Sequence, residues 1–344
     1  MTSVVAFKSS TNSLVAITAV CKAAGDPLRA QILRVLQQNS FGVLELCDVF
    51  RIRQSAMSHH LKILFDAGLV TKRREGTTIY YRRTLNNPES DVKSMQTTLF
   101  RCLDHATIDH SLLDRLKLVN NQRTNASISF FNANAKRFEA NQDLIAGWSG
   151  YGEAVEHLLE ENHTQTDSVL EVGPGYGQFL KKLSMTFEQV IALDSSSKML
   201  EQCLQSAKTQ DLRNIEFIVG DTTLALKRKM QVNCVSLNMV LHHNPSPYQI
   251  ISDCAALLAP GGVLLVTDLC SHNQEWAKLN CGDLWLGFDP AEISQWTRDA
   301  GLTVGASLYL AQRNGFRVQL RHFIKPDLTH SNTEPDNPTK NLRK

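Results

Sequence analysis

The sequence contains no apolar run long enough to cross a membrane. Its 344 residues are 42% hydrophobic and 20% charged, and no stretch approaches the roughly 18 consecutive apolar residues that a membrane helix needs. The first residues also lack the basic region, the long apolar stretch and the cleavage site of a secretory signal. We therefore expect a cytoplasmic location and no membrane partner.

The eight cysteines form no recognisable pattern. None belongs to a Cys-x-x-Cys pair, and they do not have the even spacing of a small disulfide-bonded protein. We expect reduced thiols, most of them buried, and no disulfide framework.

The length and the distribution of charge both divide the chain. At 344 residues it exceeds the usual size of one domain, which predicts two. Residues 1–85 hold 12 Lys and Arg against 5 Asp and Glu, a net charge of +7, so the remainder carries −5 of the total of +2. A basic first part on an acidic body indicates a polyanionic partner for the first part alone.

The basic part has the pattern of a helix-turn-helix followed by a hairpin. Apolar residues recur at helical spacing, and Gly25-Asp26-Pro27 divides the first stretch into two helices. A short helix over about 43–50, a tight basic connection and a longer helix over about 54–67 complete the motif. Strand-like residues over 69–83, centred on Glu75-Gly76, predict a two-stranded wing.

A glycine-rich turn lies in the second part of the chain, between a predicted strand and a helix. The run Leu170–Gly177 ends one apolar segment, and Asp194 ends the next. Such a turn lets backbone N–H groups approach a ligand, and an acid after the next strand can accept both ribose hydroxyls. Glu171 stands just before the glycines, where its charge would repel a pyrophosphate but could hold a cationic amino group. The pattern therefore favours S-adenosylmethionine over a dinucleotide.

Five successive motifs carry a resemblance to a known family: EVGPGYG, LDSSSKML, VGDTT, NMVLHHNPSP and LLAPGGVLLVTDL. Together they resemble those of class I S-adenosylmethionine-dependent methyltransferases over residues 126–324. The resemblance implies an α/β Rossmann-like fold, S-adenosylmethionine as cofactor and a small-molecule methyl acceptor. The cofactor-binding residues that it implies are Glu171, Gly173, Gly175, Gly177, Asp194, Ser196, Met199, Asp221 and Asn238.

Two histidines follow the fourth predicted strand of this fold, where a substrate would lie. A neutral imidazole of His242 or His243 could accept a proton from the methyl acceptor, and the same residues could instead cap or pack a helix start. A further group of residues could line the same cavity or form a lid without chemistry: His272, Glu275, Trp276, Trp285 and Phe288.

One motif similar to a DNA-methylating signature is in the wrong register. Asn244-Pro-Ser-Pro-Tyr248 is similar to the Asn-Pro-Pro-Tyr motif of amino-group DNA methyltransferases. That motif sits directly at the end of the fourth strand, where this chain has Asn238 and the residues after it. We therefore do not expect DNA to be the methyl acceptor.

The segments GDPLR, SAMSHHLKIL and REGTTIYY resemble the ArsR/SmtB family of winged-helix bacterial repressors, over about residues 14–84. The resemblance implies a homodimer that binds a double-stranded DNA operator with paired recognition helices. Small or polar side chains would contact base edges, and basic ones would hold phosphates. The implied DNA-binding residues are Arg51, Arg53, Gln54, Ser55, Ser58, His59, Lys62, Lys72, Arg73 and Arg74, with Arg82 as a further phosphate contact.

Metal-sensing members of that family carry ligands that this sequence lacks. The positions of their Cys-x-Cys pair hold Gly42 and Leu44. A second family site uses Asp and His on the last helix, where this chain has Asp104, His105, Asp109 and His110. Their spacing, however, puts Asp104 and His105 on different faces of a helix. We expect neither a metal nor NAD to be required.

The predicted fold has two domains, an α+β winged helix-turn-helix followed by an α/β Rossmann-like class I methyltransferase fold. We place the DNA-binding domain at residues 1–86, a helical linker or dimerisation segment at 87–125, the methyltransferase domain at 126–326 and a disordered tail at 327–344. The chain is interpreted as a transcriptional regulator whose second domain methylates a small molecule. The alternative is a non-catalytic regulator that senses S-adenosylmethionine or S-adenosylhomocysteine, and the cofactor residues suit both.

Overall fold

The computed structural model describes residues 10–75, 77–84, 91–161 and 165–327. Gly76, at the centre of the predicted wing, and the predicted tail from 328 onward lie outside these residues. Within them, no helix is long and apolar enough to span a membrane.

The basic part folds into four helices and a small antiparallel sheet with the strand order β1-β3-β2. Its elements are α1 (Ser10–Ala24), α2 (Pro27–Val35), β1 (Phe41–Gly42), α3 (Val43–Phe50), α4 (Gln54–Asp66), β2 (Val70–Glu75) and β3 (Thr78–Arg83). As the sequence predicts, Asp26 caps α2 by accepting a hydrogen bond from the Arg29 N–H at 2.9 Å, and Pro27 begins the helix. The short α3, the turn and the longer α4 form the helix-turn-helix.

The next two helices complete the core of this first domain. They are α5 (Asp91–Asp104) and α6 (His110–Asn134), and they bring Phe100, Leu112 and Val119 into the cluster that buries the inner side of α4. Arg83 fixes this packing, because its buried guanidinium donates to Asp104 Oδ1 at 2.7 Å and to Leu33 O at 2.6 Å. The predicted boundary between residues 125 and 126 falls inside α6, where the chain shows no break.

The acidic part forms a seven-stranded sheet with helices on both faces. Its elements are α7 (Phe138–Ala146), α8 (Gly152–Glu161), β4 (Ser168–Val172), α9 (Leu180–Thr186), β5 (Gln189–Asp194), α10 (Ser197–Thr209), β6 (Ile215–Val219), α11 (Thr222–Lys227), β7 (Val232–Asn238), α12 (Pro247–Leu257), β8 (Leu258–Leu269), α13 (Trp276–Cys281), α14 (Pro290–Asp299), β9 (Thr303–Ala311) and β10 (Arg317–Ile324).

The sheet order is β6-β5-β4-β7-β8-β10-β9. Strands β4 to β8 pair in parallel, and β10 runs antiparallel between β8 and β9. The chain moves outward from β4 to β6 and then returns to the other side of β4 with β7, so the order reverses between β4 and β7. Ligands of open α/β sheets bind outside the carboxyl ends of the strands at such a reversal. The predicted fold class, a winged helix-turn-helix followed by a Rossmann-like domain, is confirmed.

Candidate functional site

A cavity of about 160 Å³ opens at the carboxyl ends of β4, β5 and β7. Most of the residues predicted to bind the cofactor line it together: Glu171, Gly173, Gly175, Asp194, Met199, Asp221 and Asn238. Of the two predicted catalytic histidines, His243 lines the cavity and His242 does not. The remaining two predicted cofactor residues, Gly177 and Ser196, lie behind its wall.

The glycine turn after β4 is closed by its own backbone. The Gly173 N–H donates to Leu193 O, and the Gly177 N–H donates to Pro174 O, both at 2.8 Å. Gly173 has φ +65°, and a Cβ there would lie 2.8 Å from Val240 Cγ2. A side chain at this position would therefore meet both backbone strain and a clash. Gly177, with φ +79°, shapes the turn from outside the cavity.

Glu171 is a buried carboxylate that is only half satisfied. Its Oε1 accepts a hydrogen bond from Asn238 Nδ2 at 3.0 Å, and Asn238 also donates to Ser236 Oγ at 2.9 Å. Its Oε2 is buried and has no hydrogen-bond partner among the described residues. Burial raises the pKa of Glu171 to about 8. An unpaired carboxylate oxygen in a cavity wall fits a cationic ligand group, as the amino group of S-adenosylmethionine would be.

Asp194 ends β5 in the same wall. Its Oδ1 accepts from the Ser196 N–H at 2.7 Å, and burial raises its pKa to about 6. The Ser196 side chain itself caps α10, since its hydroxyl accepts from the Met199 N–H at 3.1 Å and donates to Asn132 Oδ1 at 2.8 Å. Ser195 lines the cavity in its place.

Another part of the cavity wall consists of residues that the sequence did not single out. They precede the first strand of the sheet and come from α6, α7 and the turns after them: Ser127, Phe131, Phe138, Gln142, Trp148 and Tyr151. The one sequence feature that could have indicated these residues is the recurrence of aromatic side chains along otherwise polar helices. None of the five residues predicted as a possible lid lines this cavity.

The two histidines lie in a 3₁₀ turn after β7 and differ in environment. His242 is fully buried, and its Nδ1 lies 2.8 Å from Asp268 Oδ1. Burial opposes a charge on His242, but Asp268 and Asp283 outweigh it and raise its pKa. Burial, and then the neighbouring His242, hold the pKa of His243 well below its ordinary value. Asp268 and Asp283 are further residues that the sequence did not assign.

The predicted DNA-reading side chains lie on the exposed side of α4. Met57, Leu61 and Leu64 are fully buried beneath it, whereas the polar residues face outward. Exposed residues on α4, the turn before it and β2 are Arg51, Arg53, Gln54, Ser55, Ser58, His59, Lys62, Lys72 and Arg74. This surface has the composition that DNA recognition requires.

Two family models match the chain, one in each part. The model described as bacterial regulatory protein, arsR family, matches residues 26–72, and the methyltransferase domain model matches residues 170–266. The chain joins an ArsR-family region to a methyltransferase domain.

Curated relatives fall into the same two groups. The arsenical resistance operon repressor of Bacillus subtilis (strain 168) is 44% identical over 69 residues, which are 20% of this chain and 64% of that protein. A ubiquinone biosynthesis O-methyltransferase of Xanthomonas axonopodis pv. citri (strain 306) is 28% identical over 173 residues, which are 44% of this chain and 71% of that protein. A solved structure of the N-methyltransferase NodS from Bradyrhizobium japonicum WM9 with S-adenosyl-L-homocysteine aligns with a TM-score of 0.42 and 18% identity over 51% of this chain and 87% of that one.

The wing of the ArsR region is docked on the methyltransferase domain. Glu75, at the end of β2, is buried there, and its Oε2 accepts from the Leu286 N–H at 2.9 Å and lies 3.3 Å from Lys278 Nζ. Arg73 pairs with Glu75, and Arg82 pairs with Glu292 of α14. In this arrangement Arg73 and Arg82, both predicted to contact DNA phosphates, pair with carboxylates and face the methyltransferase domain.

The docked wing also contacts the loop between α13 and α14, and this loop bonds to the segment that follows β7. The Tyr80 ring packs edge-on against Trp285, with centroids 5.1 Å apart, and the Trp285 indole donates to Asn244 O at 2.7 Å. The backbone N–H groups of Leu284 and Trp285 donate to His242 O at 2.9 and 3.0 Å. A continuous chain of contacts thus leads from the wing to the histidine turn beside the cavity.

Proposed function

We propose that the protein binds operator DNA as a homodimer in the cytoplasm and methylates a phenolic hydroxyl of a small molecule. The observation that carries the transferase half is the unpaired Oε2 of Glu171, in a cavity that aromatic side chains also line. The name of the ubiquinone biosynthesis relatives supports an oxygen acceptor on an aromatic ring. Relatives named as methyltransferases do not favour a purely sensing role.

Each part of the cavity has a task in this proposal. Glu171 holds the cofactor's amino group and Asp194 its ribose, while Met199 and Asp221 surround the adenine. When bound, S-adenosylmethionine supplies a methyl group that is activated by the positive charge on its sulfur. An acceptor hydroxyl held in the cavity would take up this methyl group and release its proton to water. His243 is the polar side chain that would lie beside the acceptor.

We expect Asp194→Ala to weaken S-adenosylmethionine binding at least about tenfold, because it removes the contact to the ribose hydroxyls. Each charge-assisted hydrogen bond of this kind contributes about 1.5–3 kcal/mol, and 1.4 kcal/mol corresponds to tenfold. Isothermal titration calorimetry would measure the change. Glu188→Ala removes an exposed carboxylate next to β5 and should leave the affinity unchanged. Equal affinity in a folded Asp194→Ala protein would refute the ribose assignment.

The transfer itself is tested with labelled S-adenosylmethionine and a panel of mono- and dihydroxylated aromatic compounds. We expect label in the phenolic products and none with Gly173→Ala, whose added Cβ clashes with Val240. Transfer to amines or carboxylates instead would replace the proposed acceptor class. Binding without transfer to any compound would favour the sensor.

The DNA half of the proposal rests on the exposed face of α4 and on the apolar side chains that helices of this domain expose. Leu14 and Val15 on α1 and Leu118 on α6 are each more than half exposed, which supports a dimer interface. The chain covers 64% of the length of the matched repressor. Operator binding and dimer formation are therefore proposals for this chain.

We expect Ser58→Ala with His59→Ala to relax sequence preference, because these side chains would contact base edges. Lys72→Ala with Arg74→Ala should weaken binding to all sequences alike and reduce the salt slope by about one per lost phosphate contact. Arg73→Ala alone should have a smaller effect, since Arg73 is docked. Fluorescence anisotropy over a series of salt concentrations measures all three, and an unchanged salt slope in the Lys72, Arg74 variant would contradict the wing's role.

A further inference from the structure

Three side chains from two separate segments converge at the wall of the cofactor cavity, which one of them, His243, lines. His242 and His243 come from the turn after β7, and Asp283 comes from the loop after α13. Asp283 Oδ1 lies 3.9 Å from His242 Nε2 and 3.6 Å from His243 Nδ1. One potential ligand atom from each residue lies within 4.8 Å of the other two. The two measured distances exceed hydrogen-bond length, so the groups surround a common point without bonding each other.

All the atoms that face this point are buried, and those of His242 and Asp283 are unpaired within the described part of the chain, whereas His243 Nδ1 contacts Gly282 O. His242 Nε2 and both carboxylate oxygens of Asp283 have no hydrogen-bond partner among the residues that the structure describes. Burying such groups without a partner costs roughly 1–3 kcal/mol each, and more for charged ones. A bound cation would satisfy them all at once.

A second carboxylate orients one of the histidines toward this point. Asp268 Oδ1 lies 2.8 Å from His242 Nδ1, and Asp268 is itself held by the backbone N–H groups of Leu241 and Leu269 at 2.9 and 2.8 Å. With its proton on Nδ1, His242 directs the lone pair of Nε2 at Asp283. Proteins orient metal-binding histidines with such a carboxylate partner.

We propose that His242 Nε2, His243 Nδ1 and Asp283 Oδ1 bind one divalent transition-metal ion such as Zn²⁺. Zinc binds nitrogen and oxygen at about 2.0–2.2 Å, so ligands at tetrahedral angles lie about 3.3 Å apart. The separations of Asp283 Oδ1 from His242 Nε2 and His243 Nδ1, 3.9 and 3.6 Å, need to shorten by about 0.6 and 0.3 Å, and the 3.3 Å contact of His243 Nδ1 with Gly282 O gives way. The charge of the ion offsets those of Asp268 and Asp283.

The set of two histidines and one carboxylate leaves a position on the ion open for a further ligand. Because His243 lines the cavity, that position is available to the acceptor's oxygen, whose O–H the ion would acidify. This role rests on the proposed function, whereas binding of the ion does not. The site differs from our expectation that no metal is required.

The test titrates Co²⁺, followed by Zn²⁺ in competition, into tag-free full-length protein that has been treated with EDTA. Visible absorption bands of Co²⁺ report its coordination, and calorimetry gives the stoichiometry. Because Cys21, Cys47 and Cys102 are not buried, the titration uses a background with Ser at these three positions. Binding of S-adenosylhomocysteine verifies that each variant is folded, since Asp283 does not line the cavity.

We expect one Co²⁺ per chain, a loss of affinity of at least 100-fold in Asp283→Ala, and a loss of about 10- to 100-fold in Asp268→Asn. His272→Gln changes a neighbouring histidine outside the cluster and should bind Co²⁺ normally. No binding, or equal binding by Asp283→Ala, would overturn the site and leave Asp283 as an ion-pair partner of His242. If the ion binds as expected but methyl transfer persists after EDTA treatment, the role with the acceptor fails. If the ion binds and no acceptor is methylated, the proposed function fails while the site stands.

Discussion

Replacing Glu171 by Gln is expected to weaken S-adenosylmethionine binding by about 10- to 150-fold at pH 8. The change removes the charge that would pair with the cofactor's amino group, and a charge-assisted hydrogen bond contributes about 1.5–3 kcal/mol. Gln retains the shape of the side chain and can still accept from Asn238. The thermal unfolding temperature of the ligand-free variant should therefore be no lower than that of the parent protein. Unchanged calorimetric affinity would remove Glu171 from the cofactor site.

The same carboxyl makes the affinity depend on pH. In the free protein the pKa of Glu171 is about 8, so the carboxyl is mostly neutral at pH 7, whereas the bound cation requires it charged. Binding then releases a proton, and affinity should rise with pH from 6 to 8 by up to about tenfold per unit. The rise ends near pH 8, where an α-amino group such as the cofactor's loses its own proton.

The neighbours of Glu171 should not obscure this profile. Asp194, with a pKa of about 6, steepens it below pH 6. Burial raises the pKa values of Tyr151, Cys203 and Cys234, so these groups remain neutral over the range. Calorimetry at pH 6, 7 and 8 should show the slope in the parent protein and a flatter one in Glu171→Gln. A flat profile in the parent would contradict the protonated carboxyl.

The second large effect is expected at the docked wing. Glu75→Gln removes the buried charge that faces Arg73 and Lys278, and undocking would return Arg73 and Arg82 to the DNA side. We expect tighter operator binding, by about 5- to 100-fold, as for coupling free energies of about 1–3 kcal/mol. Each arginine that reaches a phosphate should steepen the slope of log affinity against log salt concentration by about 0.9, so the pair should steepen it by about two.

Two variants separate undocking from a simple loss of negative charge. Glu292→Gln weakens the interface from the methyltransferase side without changing the wing, and it should also tighten DNA binding. Glu188→Gln loses the same charge at an exposed position of that domain and should not. If Glu75→Gln and Glu292→Gln leave both affinity and salt slope as in the parent, the docked wing does not restrain DNA binding.

Local sequence patterns were sufficient for the elements and for half of the site. The cap of Asp26, the glycine turn and the acids near the ends of β4 and β5 are each determined by residues within a few positions of one another. The strand order then brings Glu171, Asp194 and Asn238 to one edge of the sheet. These features could be predicted because backbone geometry and topology dictate them.

The rest depends on contacts between residues far apart in the chain. Glu75 reaches Leu286 across 211 positions, and no local pattern indicates that the wing's basic strand carries a carboxylate for another domain. Asp283 meets His242 only through the loop after α13. The aromatic wall around Phe131 likewise precedes the first strand of the sheet and becomes a wall only when α6 packs on α10.

Helix α6 joins the two domains as one continuous helix. Near its middle, Arg123 donates hydrogen bonds to Glu45 and to Ser40 O of the ArsR region. Further along the same helix, Ser127 and Phe131 line the cavity. A helix turns through about 100° per residue, so one inserted residue between these groups would rotate Phe131 out of the cavity while Arg123 stayed in place. Seven inserted residues restore the facing to within about 20°. The number of residues between these groups can therefore change only by whole helical turns. Chimaeric proteins that exchange either domain should function only when the junction in α6 preserves this spacing.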